Sequence, residues 1–307
     1  MDNYTIHSKN YNEDLIKQAK HITIFYNGME LQQILNAIPE NVKSLSLENV
    51  ILPIIIPEHI EKLSLSRDSL IDKIQFNSKL QTLILESQDT IFQNFPVNIQ
   101  NLVIYSNSIR KLVVPDNLRK LKLYCISLEL PNLPNLEKLH IYCEYINSLD
   151  FLPHSLRYLS LQSYKNTFNL VNIPINLYKL KIHGFAPDLT NLNVKYVKYC
   201  DENPINFPLN VEKIKSGGHP QNLAELKKLR ILKCNAGAED VLYVPQQLEK
   251  LYCCGYDKIV FANGTKIKKI KVKNCGIMLT QFVNLPENVR VCMRKGYQVW
   301  RDCLQEK

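Results

Sequence analysis

The chain has 307 residues, nine of them cysteine, and a formal net charge of +9. It contains no run of about 18 or more apolar residues, which argues against a transmembrane helix. Its start, MDNYTIHSKNYNEDL, is polar and acidic where a secretion signal is basic and then apolar.

From the N-terminus, Asn12-Glu13-Asp14 followed by Leu15, Ile16 and Ala19 predicts a capped helix with an acidic first turn and one apolar stripe. KHITIFY offers an early strand centred on Ile22. Met29, Leu31, Ile34, Leu35 and Ile38 predict a second short helix. Residues 1–38 are therefore expected to form an N-terminal cap.

From Pro39 onward one motif, Pro-x-Asn-Leu-x-Lys-Leu-x-Leu in loose variants, returns at a step of about 19 residues. The copies are PENVKSLSL from Pro39, PEHIEKLSL from Pro57, PVNIQNLVI from Pro96, PDNLRKLKL from Pro115, PHSLRYLSL from Pro153, PINLYKLKI from Pro174, PLNVEKIKS from Pro208, PQQLEKLYC from Pro245 and PENVRVCMR from Pro286. SKLQTLIL, PNLEKLHI, LNVKYVKY, ELKKLRIL and TKIKKIKV fall between them. The anchor of each terminal Leu-x-Leu runs Leu45, Leu63, Leu83, Leu102, Leu121, Leu139, Leu159, Leu180, Val197, Ile214, Leu229, Leu251, Ile270 and Cys292. The steps are uneven between Val197 and Leu229.

Leu-x-Leu alternates at period two, so each copy predicts a short strand with its leucines inward. About ten residues remain per coil. That is too short for a helix with two turns, so extended or 3₁₀ segments are expected on the convex side. Proline fixes φ before each strand. The following Asn (Asn41, Asn98, Asn117, Asn176, Asn210, Asn288) suits a turn or a side-chain bond between coils. The array spans 39–292, and 293–307 form a C-terminal cap in which Val299, Trp300, Cys303 and Leu304 share a helical face.

The repeats resemble the leucine-rich-repeat superfamily, and the short unit is similar to that of bacterial effectors and of protist and giant-virus repeat proteins. The resemblance implies a solenoid with a parallel sheet on its concave face, that face being the usual binding surface. It departs from the family in its patchy ladder after the strand: Asn49, Ser87, Ser106, Cys125, Cys143, Ser163, Gly184 and Asn274. The Cys-x-Asp motif of the ubiquitin-ligase domain that some bacterial effectors carry is absent from the chain.

Alternation nominates the outward residues. Tyr105, Tyr124 and Tyr142 fall in one column of consecutive strands. Later strands present Tyr158, Lys179, Lys181, Lys198, Lys213, Lys215, Lys228, Arg230, Lys250, Lys269 and Lys271. The charge is lopsided: 14 Lys and Arg against 17 Asp and Glu in residues 1–150, but 24 against 12 in 151–307. This points to an acidic partner for the second half. The reading is a non-catalytic, monomeric, cytoplasmic protein-interaction module that binds on its concave face. The alternative is a binder of nucleic acid or anionic lipid headgroups through the basic half. No cofactor is expected. The cysteines lack Cys-x2-Cys spacing, so buried free thiols in a reducing compartment are expected rather than zinc. The scattered histidines supply no nucleophile–base pair with an orienting group.

Overall fold

The computed structural model describes residues 3–7, 12–25, 28–66, 69–88, 91–128, 133–146, 149, 152–163, 170, 173–185, 187–203, 205–236, 241–274 and 280–295. Two compact units, Met1–Ser155 and Leu156–Lys307, make up the chain.

In the first unit, Asn12 caps helix Glu13–Gln18 by accepting from the Asp14 and Leu15 amides at 3.0 and 3.2 Å. A second helix, Leu31–Asn36, buries Leu31, Ile34 and Leu35. The main sheet is all parallel: Asn3–Ile6, His21–Ile24, Ser44–Leu47, Lys62–Leu65, Thr82–Glu86, Asn101–Tyr105, Lys120–Leu128 and Lys138–Ile146, each paired with the next. Ile22 stands opposite Leu45, so the early strand keeps the register of the repeat. Ile22, Leu45, Leu63, Leu83, Leu102, Leu121 and Leu139 stack as one fully buried row.

The second unit repeats the plan with Tyr158–Gln162, Lys179–His183, Tyr196–Tyr199, Lys213–Ser216, Ile231–Asn235, Lys250–Cys254, Lys269–Asn274 and Arg290–Lys295. Its inward row is Leu159, Leu180, Val197, Ile214, Leu232, Leu251, Ile270 and Val291. Two expected anchors are thereby corrected. Leu232, not Leu229, pairs with Ile214 and Leu251. Val291, not Cys292, pairs with Ile270. Leu229 is buried in the preceding turn, where its amide bonds the Leu226 carbonyl at 3.1 Å. In Leu-Arg-Ile-Leu both leucines are apolar, and only pairing tells the turn leucine from the strand leucine. With Leu232 as anchor, the steps on either side, from Ile214 and to Leu251, even out.

The recurring proline opens a turn. The Pro39, Pro57, Pro96, Pro115, Pro174, Pro208 and Pro245 carbonyls each accept from the amide three residues on, at 3.0–3.2 Å. Between coils, the expected side-chain ladder forms. Asn41 Nδ2 donates to Lys17 O and Ala19 O at 3.1 Å, Asn98 to Ser78 O at 2.7 Å, Asn117 to Val97 O at 3.0 Å and Asn135 to Asp116 O at 3.1 Å.

Away from the main sheets the return segments are extended or 3₁₀, as their length requires. In the first unit Ile54–Ile55 pairs with Ile74–Gln75, and Ile91–Phe92 with Lys111–Leu112. In the second, Val241–Val244, Lys258–Phe261 and Gln281–Val283 form a small parallel sheet. Single 3₁₀ turns occur at Ile71–Lys73 and Leu223–Glu225.

Gly217-Gly218 ends the strand Lys213–Ser216 against the preceding coil. A Cβ on Gly217 would lie 2.6 Å from the Asp201 carbonyl oxygen, so only glycine fits that approach. Cys125, Cys143, Cys234 and Cys253 are buried free thiols, and burial pushes Cys234 up to about 12. Cys254 departs from the free-thiol expectation, being held in a disulfide. Cys275 and the proposed cap residues Val299, Trp300, Cys303 and Leu304 lie outside the described residues.

Candidate interaction surface

Each main sheet turns one face inward to the apolar rows and presents the other in columns, one residue per strand in each column. In the first unit the tyrosine column forms as the alternation predicts. Tyr124 stands opposite both Tyr105 and Tyr142 in register. The Tyr105 and Tyr124 rings stack at 4.5 Å and 12°, and those of Tyr124 and Tyr142 at 6.2 Å and 30°. His140 tilts against Tyr124 at 5.4 Å. Burial, reinforced by Tyr105, holds the Tyr124 phenol above its ordinary range. Tyr105 and Tyr142 remain exposed.

This corner carries more apolar surface than alternation alone predicts. The strands Lys120–Leu128 and Lys138–Ile146 run on past the Leu-x-Leu core, and Ser108–Ile109 pairs with Ser127–Leu128. The extension exposes Ile126 and Tyr145 beside the tyrosines. The run-on IYCEYI after Leu139 was the available signal.

In the second unit the first outward column reads Tyr158, Lys179, Tyr196, Lys213, Ile231, Lys250, Lys269, Arg290. Lysines and rings interleave. Lys179 Nζ lies 5.0 Å from the Tyr158 ring centroid and 4.7 Å from that of Tyr196, and Lys213 Nζ lies 4.5 Å from Tyr196. The middle column reads Ser160, Lys181, Lys198, Lys215, Lys233, Tyr252, Lys271, Cys292. Here Lys233 and Lys271 sit 4.8 and 5.8 Å from the Tyr252 ring.

The placement of three groups differs from the sequence-based expectation. Lys228 and Arg230 are not in these columns, because the strand begins three residues later than the anchor Leu229 implied. Lys228 is an exposed turn residue, and Arg230 sits at the strand entrance, where its Nη1 bonds Glu249 Oε1 at 2.8 Å. Lys233 takes the outward place instead. Lys198 and Lys215 do lie in the outward column but are only 4% and 8% exposed.

At the strand entrances runs a separate line of ion pairs: Lys43 with Glu61, Arg119 with Glu137, Lys195 with Glu212 and Arg230 with Glu249. These exposed pairs are worth little singly. Beyond the columns, Asp201 accepts from the Gly184 amide at 2.7 Å and lies 3.6 Å from His183 Nε2. Burial pulls the His183 imidazole below its ordinary value, with Asp201 opposing. Sequence distance hid this pair. Among the described residues no group of three His, Cys, Asp or Glu is placed to hold a metal ion. No described helix is long and apolar enough to cross a membrane.

Parallel strands one per coil, an inward leucine row and short extended returns define a leucine-rich-repeat type of β-solenoid in each unit. A structural search matches the chain to CroV588, described as a novel circular LRR protein, with a TM-score of 0.56 and 14% identity. The match covers 95% of this chain and 54% of CroV588, so the chain spans about half the length of that protein. No protein-family model and no curated protein sequence matches. The likeness is one of fold, that of a leucine-rich-repeat solenoid.

Proposed function

We propose that the chain is a non-catalytic protein-interaction module that binds its partner on the outward face of the main sheets. One observation carries this reading: the stacked, exposed Tyr105–Tyr124–Tyr142 column with Ile126 and Tyr145 beside it. Such aromatics on a solvated sheet offer large contact area at low entropic cost, as interface anchors do. Repeat solenoids characteristically use an extended face of this kind for binding. The lysine columns of the second unit support an acidic partner there, with nucleic acid or anionic headgroups as the second reading.

The test is site-specific photocrosslinking. A benzophenone amino acid replacing Tyr142 is expected to capture a discrete protein from cells. The same residue at Val113, beside the minor strand Lys111–Leu112, is expected to capture none. Equal capture at both positions, or none at Tyr142, overturns the proposal.

A further inference from the structure

We infer that the middle column of the second unit, Lys181–Lys198–Lys215–Lys233, is the seat of an acidic segment of a partner protein, its carboxylates entering over the recessed Lys198 and Lys215. The inference rests on the reading of the outward face as a binding surface and adds the chemistry of what binds.

Four lysines stand in register on consecutive strands, Lys181 opposite Lys198, Lys198 opposite Lys215 and Lys215 opposite Lys233. Like charges directly opposite one another destabilise a sheet, at a strand spacing of about 4.8 Å. Fanning out into solvent ordinarily relieves the repulsion. Lys198 and Lys215, being buried, do not have that relief. Burial lengthens the reach of each charge and lowers the screening around it.

No aspartate or glutamate stands in the first or middle column of this sheet. In the same middle column, the Ser160 hydroxyl is shut from solvent with no hydrogen-bond partner among the described residues, a polar group placed to meet an incoming acceptor. The flanking ammonium groups are held in position against rings: Lys179 and Lys213 on Tyr196, Lys233 on Tyr252.

Three features favour a carboxylate-bearing chain over nucleic acid. Single-stranded nucleic acid binds by stacking bases on open aromatic faces, whereas the Tyr196 and Tyr252 rings each carry lysine ammonium groups within 5.8 Å of their centroids. The column cations from Lys179 to Lys271 are lysines, compact point charges, where planar forked recognition of phosphate favours arginine. A recessed ammonium is reached by a carboxylate on a flexible side chain, while a duplex presents its phosphates on a stiff perimeter.

The test uses the full chain and two probes, a labelled deca-glutamate peptide and a labelled oligothymidylate of similar charge, by fluorescence anisotropy at low and high salt. The Lys198→Met/Lys215→Met double variant and the exposed Lys181→Ser/Lys233→Ser double variant are each expected to weaken peptide binding at least about tenfold at low salt. The Lys227→Ser/Lys258→Ser/Lys266→Ser variant, off the face, is expected to change it less than about twofold. The second double variant decides the matter if the first fails to fold. Equal loss from face and off-face variants, tighter binding of the oligothymidylate than of the peptide, or no peptide binding at low salt overturns the inference. Such a result with Tyr142 crosslinking intact leaves the proposed function standing; loss of both removes it.

Discussion

Tyr196 lies between two ammonium groups supplied by its neighbouring strands, Lys213 Nζ 4.5 Å and Lys179 Nζ 4.7 Å from the ring centroid. The basic column is therefore not a bare row of like charges. Each lysine that meets a ring gains an attraction to its π-face, which offsets part of the repulsion along the stack.

Removing that ring has a predictable cost. Each exposed cation–π contact contributes about 0.5–1 kcal/mol, so Tyr196→Leu is expected to destabilise the fold by about 1–2 kcal/mol more than Tyr196→Phe, which keeps the π-face. Chemical denaturation of the two variants measures the difference. Equal midpoints would show that the ring acts only as apolar filling.

Adjacent residues on one strand separate inward from outward. Leu121 is buried in the stacked row and Lys122 is exposed beside it. Leu121→Asp places a carboxylate between packed coils and is expected to cost more than about 3 kcal/mol and to melt more than its own coil. Lys122→Ser is expected to stay within about 0.5 kcal/mol of the parent. Similar melting shifts for the two would contradict the inward and outward assignment of this strand.

The side-chain ladder between coils is graded by burial. Asn77 is 5% exposed; its Nδ2 donates to the Pro57 and Ile60 carbonyls and its Oδ1 accepts from the Lys79 amide at 2.9 Å. Asn77→Ala strands those groups and is expected to cost about 1–3 kcal/mol. Asn98 makes its bond to Ser78 O in the open, so Asn98→Ala is expected to cost about 0.5–1 kcal/mol. Thermal melts of the pair check the ordering.

Stability is expected to fall with acid below the ordinary histidine value. The His21 imidazole is held below 6.5 by burial and then by Lys62, against the pull of Ser44. His59 is held below it by burial and then by Lys43. A folded-state histidine of lowered pKa binds fewer protons than the unfolded chain as pH drops through 6.5, so folding loses stability there and keeps it above. His21→Asn is expected to flatten the melting temperature against pH between about pH 7 and pH 5. An unchanged slope would assign the acid sensitivity to other groups.

Recognition of the repeat required only the spacing of apolar residues and prolines. Ile22, Leu45, Leu63 and Leu83 announce inward positions because a strand places every second side chain on the same face, whatever surrounds it. The asparagines after the prolines were legible for a similar reason: a short amide at a turn finds backbone acceptors close by. Leu229 and Leu232 were not separable, since both are apolar and both are fully buried; the hydrogen-bond partners of their strands distinguish them.

The sequence by itself determined the coil, its parallel strands and the column in which most outward side chains stand, because those follow from local alternation repeated at a near-constant step. Only the tertiary structure decided how deep each of those side chains lies and what it meets. Lys181 and Lys198 read identically in the repeat, yet Lys198 is 4% exposed while Lys181 keeps partial contact with solvent. The rings that receive Lys179, Lys213 and Lys233 come from strands one coil away. Burial and cross-strand contact are set by neighbours about one repeat distant in sequence, and an alternation pattern within one strand carries no information about them.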